Sequence, residues 1–260
     1  MTTNDSRFRL FGTNPHRNLF VAISLIVVAA VLLPENVIGG RLYDYMVAAI
    51  LVVALMETAG TPGRRVLAFI IGVPAIGARL IYAESADSVG ASSWVLGLSA
   101  LFFVFLIWNL LRDLVKGDRS TSERIFGALT AYLCIGTVFA LIYAHAYLRD
   151  PGAFKIPADL IPAGPQSEAM MMPIFTYFSF VTLTTLGYGD FVPLSEHTRS
   201  LAWIEAMLGQ LYLAVLVGGL VGVYFAEAAN QAARASFRGS RGEGGGTRNE
   251  EDAGEADINE

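Results

Sequence analysis

The sequence predicts an all-α membrane protein of six transmembrane helices, with a re-entrant helix and a glycine-bearing loop between the fifth and the sixth. Three observations carry that prediction. Hydrophobic residues make up 54% of the 260 residues. Mean hydropathy is +0.51, outside the range of ordinary soluble domains. The apolar residues also fall into runs that approach the roughly 20 residues needed to cross a bilayer core of about 30 Å.

The first run, 19–33, is slightly short and is stopped by Pro34. The second, 45–60, carries Glu57 near its end, and the third, 66–82, contains Pro74 and Arg79. Neighbouring helices can accommodate an intramembrane proline, and Glu57 and Arg79, one near each face, are read as side chains that snorkel to the interface. The fourth run (92–111), the fifth (125–148) and the last (201–226, with Glu205 near its start) are strong spans. MMMPIFTYFSFVTL, 170–183, has the composition of a span but not the length. A helix that dips in and returns fits it better.

Six spans place both termini on one side. With the N-terminus inside, only Arg41, Arg79, Arg149, Lys155 and Arg199 of the 18 basic residues fall outside, which favours cytoplasmic termini. A signal-peptide reading of the first run would leave an odd number of spans and spoil that asymmetry. The formal charge of -5 comes partly from the C-terminal tail and points to no nucleic-acid partner. Cys134 is the only cysteine, so no intrachain disulfide is possible.

Residues 1–17 then form a cytoplasmic N-terminus and 18–111 a four-helix unit. The charged linker 112–124 reads either as an interfacial amphipathic helix or as a solvated turn, with Ser120 and Glu123 at capping-box spacing before the fifth span. The pore-like unit covers 125–228. The polar, glycine-rich and acidic stretch 229–260 has too few apolar residues to bury a core and is expected to be disordered.

The chemistry concentrates in TLTTLGYGD, 182–190. An ion leaving water needs its hydration shell replaced, and neutral backbone carbonyls can do so while still releasing it. Aiming successive carbonyls the same way requires backbone angles that glycine adopts at least cost, at Gly187 and Gly189. These residues resemble the pore of the potassium-channel family: a short pore helix, a filter usually written TVGYG, an aspartate, then an inner helix. The resemblance covers about 125–228, with the pore helix at about 170–183 and the filter at 184–190.

The resemblance implies a passive, potassium-selective channel of the plasma membrane, without catalysis or cofactor, potassium being the permeant species. Its ion-binding oxygens would belong to Thr185, Leu186, Gly187 and Tyr188, with Gly189 completing the mouth. Thr184, Asp190 and Tyr177 would support the filter. Leu186 stands where valine is commonest, and Val181 where some members carry a glutamate bonded to the aspartate, so Tyr177 or another aromatic has to bond Asp190. The motif occurs once, so four carbonyls per site require three further copies of the chain, a homotetramer in the lipid bilayer. A weakly selective cation channel, the membrane subunit of a potassium-uptake system, and a subunit that assembles with an unidentified gating partner are the competing readings.

Gly209 matches the family's hinge glycine, with hinging and close packing both open there. Gly218, Gly219 and Gly222 read more readily as packing residues than as hinges. The fourth run lacks the regularly spaced arginines of a voltage sensor, so intrinsic voltage sensitivity is expected to be weak. His16, His145 and His197 are the histidines open to titration, His197 being nearest the outer mouth.

Overall fold

A computed structural model of the chain describes residues 15–32, 40–57, 62–85, 89–116, 121–161 and 168–243. They form seven α-helices: α1 (Pro15–Leu32), α2 (Gly40–Glu57), α3 (Pro62–Ser85), α4 (Val89–Lys116), α5 (Thr121–Arg149), α6 (Glu168–Leu183) and α7 (Glu196–Glu243). A two-stranded antiparallel ribbon joins β1 (Phe154–Lys155) to β2 (Val192–Pro193). Three described helical stretches are long and apolar enough to cross a membrane: Trp94–Leu114, Ser122–Arg149 and Glu196–Gly219. The helical stretches His16–Ala29, Tyr45–Leu55 and Met171–Leu183 are apolar but shorter. Residues 1–210 and 211–260 form two separate compact units. The second is described only as the continuing α7 helix as far as Glu243.

Within the first unit, α1, α4 and α6 pack on α5, and α3 packs between α2 and α4. Their faces follow from helical spacing. On α4, Val95, Phe102, Leu106 and Leu110 are buried while Trp94, Leu101, Val104 and Trp108 stand exposed, so an apolar helix shows one stripe to protein and another outward. On α3 the inward stripe is narrow. Ala68, Gly72, Ala75 and Arg79 recur at three- and four-residue steps, and a Cβ at Gly72 would come 2.8 Å from the Phe102 ring. A side chain at this position would have to push the Phe102 ring aside.

Arg79 shares that stripe and is completely buried, which differs from the snorkelling expected of it. Two helical turns separate it from Gly72, and that phase aims it at the bundle. Glu57 closes α2, with its side chain outside the described residues.

The 112–124 segment also differs from expectation. Helix α4 continues through Arg112 to Lys116 and α5 begins at Thr121. Asp113 on that extension pairs with Arg64 at the start of α3, Nη1 to Oδ1 3.0 Å. Ser120 lies outside the described residues. Glu123 reaches the start of another helix: its Oε2 accepts from the His16 backbone amide of α1 at 3.2 Å. A carboxylate there satisfies an amide that has no partner within its own helix and complements the helix dipole. His16 is buried, and its ring lies over Gly127. Cys134 is buried on α5. The helix through 229–243, where disorder was expected, carries four alanines and three arginines, both good helix formers. The rest of the tail, 244–260, lies outside the described residues.

The ribbon ties the end of α5 to the start of α7. Ala153 O accepts from the Leu194 amide at 2.8 Å and the Thr198 hydroxyl at 3.0 Å, and Ser195 Oγ caps α7 by accepting from the Thr198 amide at 3.2 Å. Behind it Phe154, Phe175, Phe178 and Phe191 form a mutual cluster with centroid separations from 4.5 to 5.7 Å. Phe191 follows Asp190 directly and fastens the outgoing end of the 184–190 loop to α6. Phe191→Ala is therefore expected to cost about 3–5 kcal/mol, measured as a lowered denaturant midpoint of the purified protein in detergent.

Candidate functional site: the 184–190 loop

The loop starts from an over-satisfied helix end. The Thr184 amide donates to Phe180 O at 3.0 Å and the Thr185 amide to Thr182 O at 2.9 Å, while the amides of Leu186 and Gly187 both donate to Val181 O, at 2.9 and 3.3 Å. Four successive N–H groups thus turn back toward α6. Among the described residues, no carbonyl from Thr184 to Gly189 accepts a hydrogen bond.

Backbone handedness alternates along this run. Thr185, Gly187 and Gly189 have φ of 59°, 56° and 80°. No other described non-glycine residue has positive φ. The two glycines were foreseen for this purpose, but Thr185 was not. A β-branched residue in the left-handed region is an outlier that costs on the order of 1–3 kcal/mol and persists only where its surroundings enforce it. The two-residue spacing 185/187/189 was the available signal.

Several groups enforce it. Gln210 Nε2 donates to Thr185 Oγ1 at 2.8 Å, and Tyr132 Oη to Leu183 O at 3.3 Å. Thr184 Oγ1 turns back to Phe180 O at 2.6 Å. A Cβ at Gly209 would collide with the Leu183 carbonyl oxygen, so Gly209 lets α7 touch the end of α6. That contact gives this residue a reason to be glycine that needs no bending. Gly218, Gly219 and Gly222 have nothing within 4 Å of a would-be Cβ.

At the other end Tyr177 Oη donates to Asp190 Oδ2 at 2.6 Å, and the Phe191 amide to Asp190 Oδ1 at 3.0 Å. The structure thus joins Tyr177 to Asp190, the pair that the absence of a carboxylate at Val181 called for. The Tyr177 hydroxyl, seconded by the Phe191 amide, holds the Asp190 carboxyl below its ordinary range. Leu186 and Tyr188 are 54% and 67% exposed. Tyr188 thus stands open within one chain, and the aromatic cluster gathers on Phe191.

Beneath the loop, buried Glu205 of α7 meets α5 and α6. Tyr143 Oη lies 2.7 Å from Oε2 and Ser179 Oγ 2.5 Å from Oε1, and Ser179 Oγ is also 2.8 Å from Gly136 O. Sequence reasoning noted Glu205 only by position and missed Gln210, Tyr132, Ser179 and Phe191. Gln210 adjoins the singled-out Gly209, but its partner lies on another element.

Residues 127–226 match the family model described as Ion channel. The chain is 43% identical over 53 residues to the potassium voltage-gated channel protein shk-1 of Caenorhabditis elegans, covering 20% of this chain and 10% of that protein. It is 31% identical over 93 residues to the two pore potassium channel c of Oryza sativa subsp. japonica, covering 36% of this chain and 17% of the other. The matched segment is similar to ion-channel pores, with two potassium channels among the proteins it resembles. The chain thus spans only a small part of the length of these relatives, and the matched proteins are ion channels, not enzymes.

Two outcomes are expected from this geometry. Gly209→Ala should destabilise by roughly 1–3 kcal/mol, because backbone rather than a flexible side chain must give way, read as a lowered thermal midpoint. Asp190 has a depressed folded-state pKa, so its contribution is present above the ordinary carboxylate pKa and is lost as pH falls through the lower folded value. Tyr177→Phe should lower the thermal midpoint at neutral pH and reduce its decline in acid, measured across an acid titration.

Proposed function

We propose that the chain is one subunit of a homotetrameric, potassium-selective channel that lets potassium move passively across the plasma membrane. The observation that carries this reading is the exposed run of carbonyls from Thr184 to Gly189 that accept no hydrogen bond among the described residues, with left-handed φ at every second residue. In an apolar setting each unsatisfied carbonyl is costly. A desolvated cation at Thr185, Leu186, Gly187 and Tyr188 offsets that cost, with Gly189 at the mouth. Asp190, Tyr177 and Thr184 hold the strand.

One chain offers one carbonyl per level, so four are needed around an axis. Exposed Leu186 and Tyr188, with Trp203, Met207 and Leu208 on α7, supply apolar surface for the neighbours to cover. At 16 residues, α6 is about 24 Å long, too short to span, which supports a re-entrant pore helix. On this reading α1 to α5 and α7 supply six spans, with both termini cytoplasmic.

Helix α4 holds no arginine or lysine before Arg112. Each charge moved through 100 mV contributes only about 2.3 kcal/mol, so voltage dependence is weak. The Gly209 contact leaves Gly218 and Gly219 as the freer positions for a bend in the inner helix.

Purified protein in liposomes tests the reading through potassium, rubidium and sodium gradients compared in one assay. Potassium and rubidium are expected to pass and sodium to be held back. Gly187→Ala, at about 1–2 kcal/mol per chain for a Cβ in the left-handed region, should abolish that preference. Equal sodium and potassium permeability in the unaltered protein would remove the reading.

A further inference from the structure

We infer that Glu205 carries a proton in the folded protein and, in that form, positions α6 and the loop that follows it. The inference rests on the channel reading only for what the positioned loop does. It stands on a count of protons among five oxygen atoms.

Ser179 has one hydroxyl proton. Its Oγ is 2.8 Å from the Gly136 carbonyl oxygen, which can only accept, and 2.5 Å from Glu205 Oε1. The Tyr143 hydroxyl donates to the other carboxyl oxygen, Oε2, at 2.7 Å. With Glu205 ionised, one of the two close Ser179 contacts would set lone pair against lone pair. With a proton on Oε1 every contact is a bond: Glu205 donates to Ser179, Ser179 donates to Gly136, and Tyr143 donates to Glu205.

The surroundings agree. Glu205 is completely buried, and among the described residues no cation pairs with it. An isolated carboxylate there would be costly, whereas a neutral acid with both oxygens bonded is not. The titratable groups facing it are Tyr143 and Tyr132 of α5, and α6 contributes only the Ser179 hydroxyl. On α7 itself, Glu196, His197 and Arg199 lie in the first turns.

The position gives the proton leverage. Glu205, Gly209 and Gln210 are successive contacts of α7, reaching Ser179, Leu183 and Thr185 in turn. The first of these fixes the register in which the other two meet the base of the loop. Removing the proton charges a buried site and leaves the single Ser179 hydrogen to serve two acceptors, so either the Glu205 or the Gly136 contact is lost and the last turn of α6 loosens.

Full-length protein in liposomes tests this by three readouts. Infrared difference spectra should show the carbonyl stretch of a protonated carboxylic acid at neutral pH, absent from Glu205→Gln. Hydrogen exchange of the 179–190 amides should quicken, and potassium flux fall, as pH rises in the alkaline range. The Glu205→Gln variant, whose amide can donate to Ser179 and accept from Tyr143, should keep neutral-pH flux and lose that alkaline response. Glu205→Ala should lower flux roughly tenfold, as expected when buried partners are left unpaired. Absence of the protonated-acid band, a Gln variant as impaired as the Ala variant, or the same alkaline response in wild type and Gln variant would each overturn the inference. If no liposomes pass potassium, the channel reading fails, while the infrared band and exchange profile still decide this one.

Discussion

The structure depends on a row of backbone carbonyls that the protein itself leaves unsatisfied. Ordinary folding pairs nearly every carbonyl in an apolar setting, and an L-residue backbone does not naturally point successive carbonyls in one direction. Here, among the described residues, the carbonyls from Thr184 to Gly189 accept no hydrogen bond, and left-handed φ falls at every second residue. The amides of Thr184 to Gly187 bend back to α6, and positive φ at Thr185, Gly187 and Gly189 holds the alternation. Neither device is stable on its own, so the neighbouring structure supplies the constraint.

That constraint comes from both ends and from beneath. Tyr177 and the Phe191 amide grip Asp190 at one end, and the Phe154, Phe175, Phe178 and Phe191 cluster holds Phe191 in place. At the other end α7 lies against the last turn of α6 through Gly209, with Gln210 on the Thr185 hydroxyl. Glu205 joins α5, α6 and α7 through buried hydroxyls. The aromatic cluster gives bulk and the polar contacts give register. A hydrophobic core alone would let the loop slide by a residue and invert its carbonyls.

Much of this was legible in the sequence where local rules suffice. Apolar length separates α4, α5 and α7 from the short α6, and the glycine spacing marks where φ turns positive. The missing carboxylate at Val181 pointed to Tyr177 or another aromatic as the partner of Asp190, and the structure has Tyr177 there. What failed depended on helical phase or on contacts between distant elements. Arg79 is carried inward by sharing a stripe with Gly72, and hydropathy cannot see that phase. Glu123 answers the start of α1, on a distant element, and the residues after Ala229 continue a helix in which alanine and arginine recur. Gln210, Glu205 and Ser179 gain their importance only when α6 and α7 meet, and Thr185 pairs a residue type with a backbone angle that no propensity would suggest.

The central claim is that the carbonyls of Thr185 to Tyr188 bind dehydrated potassium on a fourfold axis. Anomalous diffraction from crystals of the full-length protein grown with rubidium or thallium(I) in place of potassium tests it most directly. The account predicts a column of anomalous peaks on the symmetry axis, level with those carbonyls and coordinated by four chains. A fourfold assembly whose axis is empty of ions beside Thr185 to Tyr188, or an assembly of any other symmetry, would contradict it.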